Sequence, residues 1–354
     1  MTRETPLNLK SSPSRLRIAG WGDEIAPGAC WAIFDADAKD LLQRLTSTAK
    51  LPRFMAWLDG IDVALMPFEA RRVGYVGSRD DLLPRKTVAQ NVGAFHLPVA
   101  QVAWALELVG MIGLDRHEAG QLSAYDRRRV ALARALAGQP RLLLLDDPLA
   151  GLPPASHMPM LRLLQKIRSQ LPDLSLLLVS EWRQDVLMLA DQVAVFDHGA
   201  LLQQGAPREL YERPNHETVA ALLGDVNLLP AQVVGFDGEV ARLLLDGVKI
   251  EVEAMAPPGT QIGMHGRVAI RPERVAMAPA SVAEAGDCSL TAKLHDQAFL
   301  GDAVLLRFVL ADGKLLSVKR PSAAPNAGLA PGRNMSLAWQ PGFARLLVPG
   351  LAWD

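Results

Sequence analysis

Two adjacent carboxylates, Asp146 and Asp147, close the apolar run Leu142–Leu145. A carboxylate at the end of a buried strand can act as a base; it can equally be a solvated strand terminus or a helix cap. Glu181 follows a second apolar run, Leu174–Val179, in a similar way. Lys39 stands within FDADAKDLL, Phe34–Leu42, with Asp35, Asp37 and Asp40 close by, and on its own reads as a surface lysine of a loop or helix start. Ser123 precedes a helical stretch and is placed to cap it. Cys30 and Cys288 lie far apart with no Cys or His at ligand spacing, so neither a disulfide framework nor a metal site is expected, and a reducing cytoplasm fits.

The elements that position these residues follow from length and patterning. A chain of 354 residues exceeds what one core usually serves and predicts two domains. With 49% hydrophobic residues and a formal net charge of −1, it has an ordinary globular balance and no electrostatic footprint for nucleic acid. Met1–Ser14 lacks the apolar stretch of a secretory signal, and no apolar run approaches the ~18 residues of a membrane span. In the first half, short apolar runs (Cys30–Phe34, Leu142–Leu145, Ser175–Val179, Val193–Phe196) mix with helical stretches (Val99–Leu108, Arg127–Leu136, Met160–Gln170), which predicts an α/β sheet covered on both faces. The Arg127–Ala137 stretch, with basic residues at its start, is read as packing one face and presenting the other to solvent. From Asn227 on, short alternating segments separated by Asp237–Gly238, Pro257–Pro258–Gly259, Asp312–Gly313 and Pro331–Gly332 have the rhythm of a barrel or sandwich, with Val234–Pro272 and Ala292–Trp339 as two similar modules.

Gln121–Leu152, QLSAYDRRRVALARALAGQPRLLLLDDPLAGL, resembles without a gap the ABC ATPase sequence from the LSGGQ signature to the Walker B strand and D-loop. In the same order, Gly28–Phe34 resembles the strand before a Walker A loop, VGYVGSRDDLLPRKTVAQN (Val73–Asn91) the Q-loop region, and Val179–Phe196 the H-loop and the strand after it. Gly199–Leu229, Ile270–Arg274 (IRPER), Phe299–Asp302 (FLGD) and Trp339 are similar to the end of the ATPase domain and the TOBE-type domain of importers for polyamines, iron or phosphonates. The resemblance implies a P-loop-NTPase-like ABC nucleotide-binding domain over 1–226, with a helical subdomain about 79–140, followed by an all-β, OB-like TOBE-type domain over 227–354.

On that resemblance the departures matter more than the matches. A phosphate cradle needs glycines, a lysine and a Ser/Thr. Phe34–Leu42 has no glycine and is too short, with Lys39 in the lysine's place. Asp146 stands at the Mg-linked position, and Asp147 replaces the catalytic Glu, one methylene shorter. Ser78 replaces the Q-loop Gln, Glu181 the H-loop His and Pro153 the D-loop Asp. Ser123 survives in the signature, but its glycines are Ala124 and Tyr125 and its Gln is Asp126. Asp147 and Glu181 are thus the candidate catalytic positions, and Lys39, Ser78, Ser123 and Asp146 the candidate nucleotide and Mg positions. The expectation is a degenerate ABC subunit of an importer, possibly of a polyamine-like solute. It is expected on the inner face of the cell membrane, with ATP and Mg available only through a partner ATPase subunit and membrane subunits docking near Asp80–Asn91. A weakly active homodimeric ATPase and a ligand-sensing module built on the TOBE-type domain are the alternatives.

Overall fold

The computed structural model describes residues 15–19, 21, 24–34, 38–46, 56–94, 97–279, 288–323 and 329–353. They fall into two compact units, Met1–Pro207 and Arg208–Asp354. The first contains β1 (Leu16–Ile18), β2 (Cys30–Phe34), β3 (Ala56–Leu58), β4 (Ile61–Asp62), β5 (Val73–Val76), β6 (Leu142–Asp146), β7 (Ser175–Val179), β8 (Gln192–Asp197) and β9 (Ala200–Gly205). The main sheet runs β5-β6-β7-β2-β8-β9, parallel except for the antiparallel β9, while β1, β3 and β4 make a small separate sheet.

The central strands are apolar because both faces are covered. Every residue of β6 and β7 is buried, and burying one Leu stabilises by about 1.5–3 kcal/mol. On one face Leu142, Leu144 and Leu177 pack with Leu42 and Leu45 of helix Ala38–Thr46; Trp31 and Phe196 join Trp21 in an aromatic cluster with centroids 5.7 and 5.6 Å from it. Helices Val88–Val92, Val99–Leu108 and Ala124–Ala137 occupy the stretch expected to be helical. Asn91 staples the loop before the first of them. Its amide donates to the carbonyls of Leu83, Lys86 and Thr87 and accepts from the Leu83 N–H at 2.8 Å, leaving Leu83 exposed while Leu82 is buried.

The second unit holds β10 (Asn227–Asp237), β11 (Val240–Leu245), β12 (Glu251–Met255), β13 (His265–Ile270), β14 (Ala276–Pro279), β15 (Cys288–Phe299), β16 (Ala303–Val309), β17 (Leu315–Pro321), β18 (Asn334–Trp339) and β19 (Ala344–Leu347). β10-β11-β12-β19-β13 close into a barrel, and β14-β18-β15-β16-β17 form a five-stranded sheet. The two similar modules read from the sequence correspond roughly to these assemblies, but the last strand, β19, returns to close the first. The units divide between Pro207 and Arg208, ahead of the change in texture at 226/227. Helices Pro207–Glu212 and Glu217–Leu223 go with the second unit because barrel residues hold them: Arg267 pairs with Glu217 at 3.2 Å, and buried Arg271 donates to the Ala220, Gly224 and Tyr211 carbonyls.

Gly28 sets the entry into β2. It has φ +75°, its N–H donates to Ser175 Oγ at 3.1 Å, and an added Cβ would lie 2.0 Å from the Pro172 carbonyl oxygen. Gly28→Ala therefore combines left-handed strain with a clash against backbone, and is expected to cost more than about 1–2 kcal/mol in urea denaturation.

Candidate functional site

The candidate residues gather where parallel strands end. β6, β7 and β2 are neighbours in register, with Asp146 opposite Val179 and Val179 opposite Ile33, so the segments leaving their carboxyl ends start at one level. In open α/β sheets this edge is where ligands bind. β6 delivers Asp146 and Asp147, the segment after β7 delivers Glu181, and the helix after β2 delivers Lys39 from its first turn. Lys39 Nζ lies 2.8 Å from Glu181 Oε1.

Charge balance explains how this cluster is held. Hydrogen bonding to Glu181 holds the Lys39 ammonium above its usual range, against a smaller effect of burial, and Asp146 and Asp147 add to the rise. The same bond holds Glu181 below the usual carboxylate range. Burial pushes Asp147 upward, Glu181 and Asp146 push it further, and Lys39 and Arg128 oppose. Asp147 also adopts φ +50°, a left-handed conformation uncommon for a residue with a side chain. Its N–H donates across to the Val179 carbonyl at 2.7 Å, which fixes the turn.

Each carboxylate of the pair has a distinct environment. Asp146 Oδ2 accepts from the Tyr75 hydroxyl at 2.8 Å, while Oδ1 of both Asp146 and Asp147 is buried without a hydrogen-bond partner among the described residues. Burial, followed by the bond to Asp146, raises the Tyr75 phenol well above its usual range, so it stays a donor. Behind them Arg128 is buried and donates to the carbonyls of Gly77, Ser78 (2.7 Å) and Ala150 (2.9 Å). It ties the segment after β5 to the turn after β6.

The six predicted positions therefore separate. Lys39, Asp146, Asp147 and Glu181 come together, and Ser78 joins them only through its carbonyl on Arg128, its side chain being exposed. Ser123 stands elsewhere as the cap of helix Ala124–Ala137: its Oγ accepts from the Asp126 N–H at 3.1 Å and donates to the Asp126 carboxylate at 2.8 Å. Asp35 and Asp37, and the side chain of Asp40, lie outside the described residues. Pro153 caps helix Pro154–Gln170 in extended conformation. Sequence reading missed Tyr75, Arg128 and the buried Asp185. The basic start of helix Ala124–Ala137 is engaged as well: Arg127 forks onto Asp80 at 2.9 and 3.0 Å and Arg129 binds Asp126 and the Gly110 carbonyl. Three arginines in a row show no period by which a sequence could pick out the buried one.

Comparison with known proteins identifies the families to which the two parts of the chain are similar. Residues 41–150 match the ABC transporter family model and residues 268–347 match the TOBE domain model. The spermidine/putrescine import ATP-binding protein PotA 1 of Pseudomonas aeruginosa is 32% identical over 75% of this chain and 73% of its own length. The corresponding PotA of Chromobacterium violaceum is 31% identical over 80% of this chain and 81% of its own. The chain belongs to the ABC transporter ATP-binding family. A solved structure of cbiO1 from Clostridium perfringens, part of the ABC transporter complex cbiONQ, aligns with TM-score 0.48 and 24% identity over 53% of this chain and 81% of that one. Like the α/β unit followed by β domains found here, the ABC and TOBE matches fall in that order. Among the described residues no helix of this family member is long and apolar enough to cross a membrane.

Asp185 gives the site a pH signature. It is buried, accepts from Ser180 Oγ at 2.7 Å, and burial raises it to about 6 despite that bond, with Asp147 adding to the rise. A raised acid favours the protonated fold, so this group's stabilisation is complete below about pH 4 and is lost as pH rises through about 6. Asp185→Asn, which remains neutral, is expected to raise Tm by a few °C near pH ~8 and to change it little near pH ~4, read by thermal denaturation at both values.

Proposed function

We propose that this chain is a non-catalytic ATP-binding-cassette subunit of an importer for a polyamine-type solute, working beside a competent ATPase subunit and membrane subunits. The observation that carries the loss of catalysis is the Lys39–Glu181 ion pair beside Asp146 and Asp147. A nucleoside triphosphate needs cationic and N–H donors at this edge. Here, among the described residues, three carboxylates face the Lys39 ammonium, which Glu181 already engages, and the Arg128 guanidinium, which backbone carbonyls already engage. A further anion would meet like charge here. Tyr75 occupies Asp146 Oδ2, and the stretch before Lys39 has no glycine whose backbone could approach phosphate closely. The residues do not fit Mg-ATP, and no hydrolytic step is derived through them.

Glu181 supplies no N–H or cation to a γ-phosphate, and Asp147 holds its carboxylate one methylene short of a glutamate's reach. On the signature side Ser123 is engaged with Asp126, and Ala124 and Tyr125 bring side chains where glycines let backbone approach. A partner's nucleotide would have to be completed against that altered surface. The polyamine class rests on relatives that are spermidine/putrescine import proteins. For the membrane subunits the docking surface is Leu83–Lys86, exposed and held rigid by Asn91 and the Thr87–Gln90 capping box.

Calorimetry of the purified chain with millimolar Mg-ATP is expected to give no saturable heat, and steady-state assays no turnover. Saturable binding with turnover by the chain alone would overturn the non-catalytic reading. Co-expressed with the membrane subunits of a polyamine importer from its own genome, the chain is expected to co-purify with them, and Leu83→Glu is expected to abolish recovery while leaving the circular dichroism spectrum intact. Equal recovery of that variant would remove the docking assignment.

A further inference from the structure

The second unit contains a cleft of about 310 Å³ between helix Pro207–Glu212 and the turns Pro272–Arg274 and Pro341–Phe343. Its walls carry four arginines, Arg208, Arg271, Arg274 and Arg345, against one carboxylate, Glu212. This concentration of positive charge is unlike the chain as a whole, whose net charge is −1.

The way each arginine is held shows which charges a ligand could use. Arg208 pairs with Glu212 at 2.9 Å, so those two charges largely cancel. Arg271 is a buried strut: its guanidinium donates to the carbonyls of Ala220 (2.8 Å), Gly224 (3.0 Å), Asp225 (3.0 Å) and Tyr211 (3.1 Å), and it stacks on the Tyr211 ring at 4.0 Å. Arg274 lies over the Phe343 ring at 4.3 Å and is itself exposed. Arg345 donates to the carbonyls of Gly342 (2.8 Å) and Ala344 (3.3 Å), and its buried Nε has no acceptor among the described residues. Burial, with the like charge of Arg213 added and Glu212 opposing, holds Arg345 below the usual guanidinium range. Among the described residues no carboxylate lies within ion-pair distance of Arg274 or Arg345. Ring faces and carbonyls orient these two cations, and Glu212, already paired with Arg208, acts on both only at longer range, so the arginines outnumber it.

A guanidinium presents a planar fork of donors that matches a carboxylate or phosphate, and such charge-assisted bonds are the strong ones. A recess of this volume falls at the lower end of the range for small-molecule sites and is larger than a bare oxyanion needs. We propose that this cleft is a binding site for a small molecule carrying a phosphate or carboxylate group, gripped by Arg274 and Arg345 and bordered by Tyr211 and Phe343. The site lies entirely within the second unit and stands whether or not the first unit handles nucleotide. It would give the chain a regulatory input separate from the sheet edge.

The test is calorimetry of the full-length chain in low-salt buffer with three probes: inorganic phosphate, ribose 5-phosphate and citrate. Saturable binding of at least one is expected. The two phosphates against citrate separate phosphate from carboxylate recognition, and inorganic phosphate against ribose 5-phosphate shows whether the organic body contributes. Arg274→Gln and Arg345→Gln are each expected to weaken that binding by about tenfold or more, and Arg274→Lys by less. Because Arg274 is exposed, its variants are expected to keep the wild-type spectrum and melting temperature, so Arg274→Gln decides the matter even if Arg345→Gln fails to fold. No saturable binding of any probe would overturn the proposal. So would binding that is unchanged in Arg274→Gln, which would locate the anion elsewhere in the chain.

Discussion

Three carboxylates, Asp146, Asp147 and Glu181, meet at the carboxyl edge of one parallel sheet, and a single ammonium, Lys39, offsets them. The sheet itself imposes the meeting, because β6, β7 and β2 are hydrogen-bonded neighbours in register and whatever follows them emerges together. Like charges so gathered would repel unless protonated or paired. The fold uses the pairing of Lys39 with Glu181, the Tyr75 hydroxyl on Asp146 and the nearby charge of Arg128. In this arrangement the charged groups at the sheet edge are engaged mainly with one another.

The arginines of helix Ala124–Ala137 extend the same logic outward. Arg128 joins the segments after β5 and β6 through their carbonyls, Arg127 forks onto Asp80, and Arg134 donates to the Asp80 and Asp81 carbonyls at 2.8 and 2.9 Å. A loop that resembles the surface meeting a membrane subunit is therefore fastened to the helix that starts at Ser123, and both are fastened to the turn bearing Asp147. A movement of that loop would be felt at the carboxylates through one buried guanidinium.

In the second unit the organising residue is also a buried arginine. Arg271 sits just beyond β13 and gathers carbonyls from both short helices and their linker, so these helices belong with the barrel. The rest is ordinary sheet packing, with alternating inward residues of β10, β11 and β13 meeting those of β15 to β18 in one core. What stands apart is the excess of arginine charge over the one carboxylate, Glu212, on the wall of a recess.

The sequence alone determined the elements and their order. Leu142–Leu145 and Ser175–Val179 are too apolar for anything but a sheet covered on both faces, and strands closely matching them form. Turn-formers such as Asp237–Gly238 and Asp312–Gly313 mark hairpins that are present, because few other residues accept the required backbone angles. The ordered motif segments also determined the family, and they located four of the six candidate site residues at one place. Only the tertiary structure decided that Lys39 binds Glu181, 142 residues away, that Tyr75 reaches Asp146, and that Arg128 rather than Arg127 is the buried member of its run. The reason is physical: burial, charge pairing and hydrogen bonding between distant residues depend on which strand ends are neighbours and which way each helix faces. Local patterning carries neither, and the same holds for the four arginines that converge on the cleft from positions 208 to 345.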